Sequence, residues 1–130
     1  PGAMHVALPA VSPEGVASVY RPQAAAPKGQ LEEAMTRTSA TEMHVFKNRE
    51  PKWNEESKMY QLDFRGRATY ASCKNIQLTL RDGDQSDYQL LMGKVDENKF
   101  NVDFMYPFSA LQAFAFALII FDNSQSVMNL

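Results

Sequence analysis

Hydrophobic and polar residues alternate along much of this chain, and the alternation predicts β-strands. In residues 59–65, Tyr60, Leu62 and Phe64 share one parity, whereas Gln61, Asp63 and Arg65 share the other. A period of two residues is typical of a strand with one buried face. We predict further strands at 5–8, 16–20, 43–47 and 68–80, and a hairpin that pairs 88–95 with 99–104.

The C-terminal pattern differs because it has no polar side. From Ala110 the chain reads Ala-Leu-Gln-Ala-Phe-Ala-Phe-Ala-Leu, and the predicted helix runs to about Phe121. Ser109 is the expected N-cap, and Gln112 follows three residues later, as in a capping box. A helix that is apolar all round must be surrounded by protein. We therefore expect sheet to curl around it.

These elements together predict a mainly β fold with one buried C-terminal helix. The expected architecture is a curled antiparallel sheet wrapped on that hydrophobic helix, because antiparallel strands bury one face and need a partner for it. A sandwich would leave the outer side of the helix as a large exposed apolar patch. We assign one domain to 5–130, read 1–4 as a tag remnant, and expect a mobile surface loop at 23–40.

Composition and charge narrow the possible functions. The chain has 130 residues, 45% of them hydrophobic, and a net charge of -2. This charge does not favour a nucleic-acid partner. The lone cysteine excludes an internal disulfide and fits a reducing compartment, and the two histidines lack the spacing of a metal site. We expect no metal and no cofactor. The longest apolar run, 113–121, is too short to cross a bilayer.

Two arginines flank a glycine in the sequence Phe64-Arg65-Gly66-Arg67. Gly66 predicts a bulge or tight bend. A guanidinium group pairs well with phosphate, so Arg65 and Arg67 are candidates for contact with an anionic headgroup. The alternatives are a solvated face or salt bridges to the acidic loop that contains Asp82, Asp84 and Asp87.

Lys74 has the parity of the core residues Ile76 and Leu78. Either a bulge returns its side chain to solvent, or the ammonium group lines a polar pocket and requires an anionic partner. Cys73 could act as a nucleophile only beside a base, and nothing in the spacing places His44 there. No paired-carboxylate, glycine-loop or Ser/His/Asp pattern is present. We do not expect an enzyme.

Two segments resemble the signatures of the tubby C-terminal domain. The first is 64–77, with its Gly-Arg, Thr, Ala-Ser, Lys-Asn and Gln residues in that order, and the second begins at Ala110 with Ala-Leu-Gln-Ala-Phe-Ala. The likeness extends from about Met43 to Asp122. It implies a closed antiparallel barrel around a buried C-terminal helix. The resemblance also implies phosphoinositide binding, chiefly of phosphatidylinositol 4,5-bisphosphate.

The chain departs from the family pattern in two ways. It resembles only the second half of a tubby domain, whereas the basic residues that grip the inositol headgroup lie mainly in the first half. The lipid-binding residues of this chain are therefore unknown, and Arg65, Arg67 and Lys74 are the candidates. The family tail is also absent from 123–130. A half-barrel leaves the helix open on one side, so we expect an atypically small barrel, a companion fragment or a second copy.

By resemblance, the expected function is a non-enzymatic, phosphoinositide-binding, membrane-tethered adaptor in protein or receptor trafficking. Its expected partners are membranes that contain phosphatidylinositol 4,5-bisphosphate and a protein cargo. Its expected location is cytoplasmic and peripheral at the plasma membrane, with the cilium or nucleus as further locations. The alternatives are a protein-interaction scaffold without lipid binding and a tubby-type transcription regulator.

Overall fold

The computed structural model describes residues 3–19, 35 and 43–128, with side chains as far as Asp122. Apart from Met35, which is helical, these residues contain seven strands and one helix. They are β1 (His5–Pro9), β2 (Met43–Asn48), β3 (Lys52–Asn54), β4 (Met59–Gln61), β5 (Ile76–Leu80), β6 (Leu90–Asp96), β7 (Lys99–Phe104) and α1 (Ala110–Met128).

Five of the strands form one curled antiparallel sheet, in the order β1-β2-β5-β6-β7, while β3 and β4 form a separate two-stranded ribbon. The register places apolar residues opposite each other, because Phe46 pairs with Leu80 and Leu78 pairs with Leu90. Side chains alternate between the two faces of a strand. One face of the sheet is therefore apolar, and it receives the helix.

The main core lies between this inner face and α1. Phe46, Leu78, Leu90 and Met92 are fully buried there. The rings of Phe46 and Phe108 lie 4.6 Å apart. The helix contributes Ala113, Phe116, Ala117 and Ile120 to the same cluster, at the spacing of a single helical face. A smaller cluster of Ala7, Met35, Met43 and Val45 forms separately.

The start of the helix follows the prediction. The Ser109 N–H donates to Gln112 Oε1 at 2.9 Å, and the Gln112 N–H donates to Ser109 Oγ at 3.2 Å, so the capping box is formed. The end of the helix does not follow it, since α1 continues past Phe121 to Met128. The sequence 122–128 contains neither proline nor glycine, the residues that most strongly end a helix.

Only one side of the helix is covered within the described residues. Leu111 is 78% exposed, and Phe114, Leu118 and Ile119 are 61%, 53% and 55% exposed. We call these four residues the open helix face. The prediction of a half-barrel on a C-terminal helix is confirmed. Of the three arrangements left open by the sequence, the described strands do not form a small closed barrel, because the five strands of the sheet reach around one side of the helix only.

Three predicted strands are wrong in extent. The strand expected at 59–65 ends at Gln61, and Tyr60 is 70% exposed rather than buried. The strand expected at 68–80 begins only at Ile76. Of the strand predicted at 16–20, the structure describes residues 16–19. They form only one isolated bridge, between Ala17 and Val11. The predicted loop at 23–40 lies outside the described residues except for Met35, as do the first two residues of the expected tag remnant.

Local hydrogen bonds explain why β4 does not continue to Arg65. The Asp63 carboxylate accepts a hydrogen bond from the Arg65 N–H at 2.7 Å. Arg65 and Gly66 then adopt positive φ angles of 52° and 76°, and the Arg67 N–H donates to the Phe64 carbonyl at 2.8 Å. An Asp side chain that bonds the backbone two residues on favours a turn over a strand. The bend predicted at Gly66 is confirmed.

Candidate functional site

Residues 62–75, which contain most of the first signature, lie across the sheet as an irregular loop, and the last two residues of the signature, Ile76 and Gln77, begin β5. The Thr69 and Tyr70 N–H groups both donate to the Lys94 carbonyl on β6, at 2.9 and 3.1 Å. Asn75 fastens the loop a second time, since its Nδ2 donates to the Tyr70 carbonyl at 2.8 Å and its Oδ1 accepts from the Lys94 N–H at 2.7 Å. The loop is therefore held in place by two isolated backbone hydrogen bonds and by the side chain of Asn75 rather than by a continuous ladder.

Arg67 is held by a carboxylate on β7. Its Nε donates to Asp103 Oδ2 at 2.7 Å, and its Nη2 donates to Asp103 Oδ1 at 2.8 Å. A two-point guanidinium–carboxylate pair of this kind is the strong form of an ion pair. The hydrogen bonds to Asp103 raise the pKa of Arg67. A phosphate ligand would have to displace Asp103 to obtain both donors.

Arg65 also has an acidic partner. Its Nη2 lies 3.2 Å from Asp87 Oδ1, and its guanidinium lies 5.1 Å from the centre of the Tyr88 ring. This is the salt bridge to the acidic loop that the sequence analysis gave as an alternative.

Lys74, the third residue predicted as a lipid contact, lies beside an aromatic ring of α1. It is half-buried in the irregular segment before β5, so parity counted along a continuous strand does not apply to it. Its Nζ lies 5.7 Å from the centre of the Phe121 ring on α1, which is the geometry of a cation–π contact. The structure thus places Lys74 beside the helix.

A further basic cluster borders the segment, and the sequence analysis did not single it out. A cleft of about 490 Å³ lies between the link from β2 to β3 and the outer face of β5. We call this cleft the basic groove. It is lined by Lys47, Asn48, Arg49, Glu50, Pro51, Lys52, Thr79, Gln85 and Ser86. The residues from Asn48 to Pro51 also border a larger cleft of about 980 Å³ beside Tyr60 to Phe64.

Arg49 is the best-fixed cation of the basic groove. Its Nη1 donates to Gln77 Oε1 at 2.6 Å, its Nη2 donates to the Ser86 carbonyl at 3.3 Å, and its backbone N–H donates to the Gln77 carbonyl at 2.9 Å. Gln77 is fully buried, and its Nε2 donates to the Asp63 carbonyl at 2.7 Å. A signature residue therefore orients this arginine. The only signal in the sequence was two basic residues, Lys47 and Arg49, spaced to share one face of a strand.

In the part of the chain that the structure describes, no group of three His, Cys, Asp or Glu residues is placed to hold a metal ion. Nor does any helix in that part have the length and hydrophobicity needed to cross a bilayer.

The fold and this segment define a class of β module, namely an antiparallel half-barrel that packs on one C-terminal helix and carries a loop fastened across its sheet. The chain belongs to the Tub family, whose family model matches residues 1–123. The resemblance to tubby domains is thereby confirmed.

Curated relatives agree with this assignment. The chain is 42% identical over 125 residues to Tubby-related protein 1 of Homo sapiens, covering 94% of this chain and 22% of that protein. It is 34% identical over 126 residues to Tubby protein homolog 1 of Caenorhabditis briggsae, covering 93% of this chain and 29% of that protein. Tubby-related protein 4 of Homo sapiens is 41% identical over 117 residues, which are 82% of this chain and 7% of that protein. The chain thus spans less than a third of the length of these relatives.

Proposed function

We propose that this chain is the C-terminal portion of a non-enzymatic, membrane-tethered adaptor of tubby type that binds phosphoinositides and takes part in protein or receptor trafficking. The observation that carries the proposal is membership of the Tub family over residues 1–123, together with the half-barrel and its helix. Phosphatidylinositol 4,5-bisphosphate is the proposed lipid, and a protein is the proposed cargo. The proposed location is the cytoplasmic face of the plasma membrane, with the cilium or nucleus as further locations.

The charge distribution is compatible with such a role. The whole chain has a net charge of -2, so a uniform attraction to anionic lipid is not expected. A membrane contact must therefore come from a local basic surface, and attraction to such a surface falls off within a Debye length. Arg65 and Arg67 are each paired with a carboxylate, which makes them weaker candidates for this contact than unpaired cations.

Co-sedimentation with lipid vesicles tests the proposal. The complete protein that carries this sequence is mixed with phosphatidylcholine vesicles that contain phosphatidylinositol 4,5-bisphosphate, and with phosphatidylserine vesicles of matched charge. We expect the protein to pellet with the phosphoinositide and to remain in solution with phosphatidylserine. If the complete protein stays in solution with both vesicles, the lipid function is refuted.

The open helix face favours a second role, that of a protein-interaction surface. Four large apolar side chains on one side of α1 are more than half exposed, and contiguous apolar patches of this kind mark sites of protein contact. We propose that the occupant is a companion β segment that completes the barrel. Two facts support this choice: the family fold surrounds its helix with strands, and the matched relatives are much longer than this chain.

Measurement of size in solution tests that occupant. Sedimentation equilibrium is run on the chain alone and on the chain mixed with the upstream half of a tubby domain. Formation of a one-to-one complex supports the companion segment, whereas a stable dimer of the chain that excludes the added segment refutes it.

The scaffold alternative is tested by a pull-down in the absence of lipid. If the pull-down recovers a partner protein, and if Arg65→Glu loses that partner, the contact lies near Arg65.

A further inference from the structure

We infer that the basic groove is a binding site for a phosphate group, carried either by a lipid headgroup or by a soluble phosphate ester. The inference goes beyond the proposed membrane role, because the headgroup residues implied by the family resemblance lie mainly upstream of this chain. It also applies to a soluble ligand, so it stands or falls separately from vesicle binding.

The first argument is the way Arg49 is held. Both side-chain acceptors of its guanidinium, Gln77 Oε1 and the Ser86 carbonyl, are neutral. Among the described residues, no carboxylate lies within salt-bridge distance of it. A guanidinium carries five N–H donors, so donors remain after these contacts. Arg49 is therefore a fixed, uncompensated positive charge with hydrogen-bonding capacity to spare.

The second argument is the position of two lysines beside it. Lys47 pairs with Thr79 across β2 and β5, and Lys47 and Arg49 are two residues apart, so both lie on the outer face of the sheet. Lys52, on β3, lines the same groove. Neither lysine forms a salt bridge within the described residues. Three cations thus converge on one cleft.

The third argument is that most carboxylates of the nearby acidic turn are already engaged. Asp87 pairs with Arg65, whereas Asp84 accepts hydrogen bonds only from the neutral Ser86 N–H and hydroxyl and keeps its negative charge. Asp82 pairs with Arg81. Among the described residues that line the groove, Glu50 is the one carboxylate, and it is exposed. The local balance therefore favours an anion.

The groove is also a better phosphate site than the pair predicted from sequence. To bind phosphate, Arg67 must give up two hydrogen bonds to Asp103 at 2.7 and 2.8 Å, whereas Arg49 need not release any carboxylate. A volume of about 490 Å³ lies within the range of sites that hold small molecules. The phosphate of an inositol ring or of a simple ester fits these requirements.

The test is a titration of the full chain with inorganic phosphate and with inositol trisphosphate, followed by amide chemical shifts and by calorimetry. We expect the shifts to centre on residues 47–52 and 85–86. Arg49→Gln should weaken inositol trisphosphate binding by about tenfold or more, since it removes a charged hydrogen-bond donor. The double variant K47Q/K52Q should weaken it by about two- to fivefold for each charge, and the loss should shrink at high salt.

The matched control is Lys99→Gln, which removes the same charge from an exposed lysine on β7, the opposite edge of the sheet. K47Q/K52Q removes no side-chain hydrogen bond between residues that the structure describes, so it remains informative if R49Q is destabilised, which thermal unfolding would report. The inference is overturned if the wild-type chain binds neither probe, if both groove variants bind like wild type, or if K99Q weakens binding as much as they do.

Vesicles then separate the two sources of phosphate. If the groove variants lower binding both to inositol trisphosphate and to vesicles with phosphatidylinositol 4,5-bisphosphate, the ligand is a lipid headgroup. If they lower binding to the soluble probe alone, the ligand is a free phosphate ester. Failure of the complete protein to bind any vesicle would refute the proposed membrane function, while a phosphate-dependent effect of R49Q would still support the groove.

Discussion

The two phenylalanines in the middle of α1 provide a direct measure of how the helix is covered. Phe114 and Phe116 are the same residue type on the same helix, yet Phe116 is 5% exposed and Phe114 is 61% exposed. Replacing each with alanine removes the same atoms from two different surroundings. The free energy of unfolding of F114A and F116A should therefore differ greatly in the chain alone.

The magnitudes follow from burial. Phe116 belongs to the main core, and truncation of a buried Phe to Ala costs about 3–5 kcal/mol. Phe114 buries less than half of its surface, and solvent fills the space that it leaves, so the loss should be about 1 kcal/mol or less. If a companion segment covers the open helix face, Phe114 becomes a core residue too, and its cost should rise to about 3 kcal/mol.

Guanidinium denaturation measures the loss of unfolding free energy in F114A and in F116A. The chain alone is measured at a protein concentration where sedimentation shows a monomer, and the measurement is repeated with the upstream half of a tubby domain added. The expected result is a large gap between the two variants in the chain alone that narrows in the complex. Equal costs in the monomeric chain would contradict the one-sided packing. A gap that persists in the complex would show that the added segment does not cover this face.

Three further outcomes are expected. Gly93→Ala should lower the free energy of unfolding by about 1–3 kcal/mol in denaturant titrations, because a Cβ there would lie 2.5 Å from the Arg67 carbonyl oxygen. The control Gly83→Ala should change it little, since its Cβ would meet Leu80 at an ordinary 3.5 Å. Equal effects of the two substitutions would refute the close approach. Asn75→Ala should cost about 1–3 kcal/mol by leaving the Lys94 N–H without its acceptor, and Asn75→Asp, which keeps that acceptor, should cost less; the reverse order would argue against the bonds described. The N–H and hydroxyl of Ser86 hold the pKa of Asp84 below its ordinary value, so Asp84 contributes stability above its unfolded pKa and loses it as pH falls through the folded one; Ser86→Ala should raise this pKa part of the way back in a carboxyl NMR titration, and an unchanged value would count against the hydroxyl bond.

The parts of the fold that depend on long, regular patterns were predictable from the sequence. The hairpin of β6 and β7 and the capped helix follow from alternation over many residues and from Ser109 with Gln112. Sequence similarity to the tubby signatures supplied the half-barrel, which periodicity alone could not distinguish from other antiparallel arrangements.

The errors occur where side chains bond the backbone. Residues 68–75 have the composition of a strand, but Ser72 and Asn75 bond neighbouring backbone groups and keep this stretch irregular. Parity therefore misplaced Lys74. The basic groove was missed for a different reason: Lys47, Arg49 and Lys52 meet Ser86 only through the pairing of β2 with β5, which no local pattern reveals.

The bonds around Asn75, Arg67 and Gln77 have a consequence for how relatives of this chain should be interpreted. These side chains are engaged with the protein's own backbone or with its own carboxylate, so the motif that contains them records an architectural requirement. A search that uses this motif will find proteins that share this fold, whichever ligand each of them binds. Assigning a ligand to any one of them calls for inspection of its outward-facing charges, position by position.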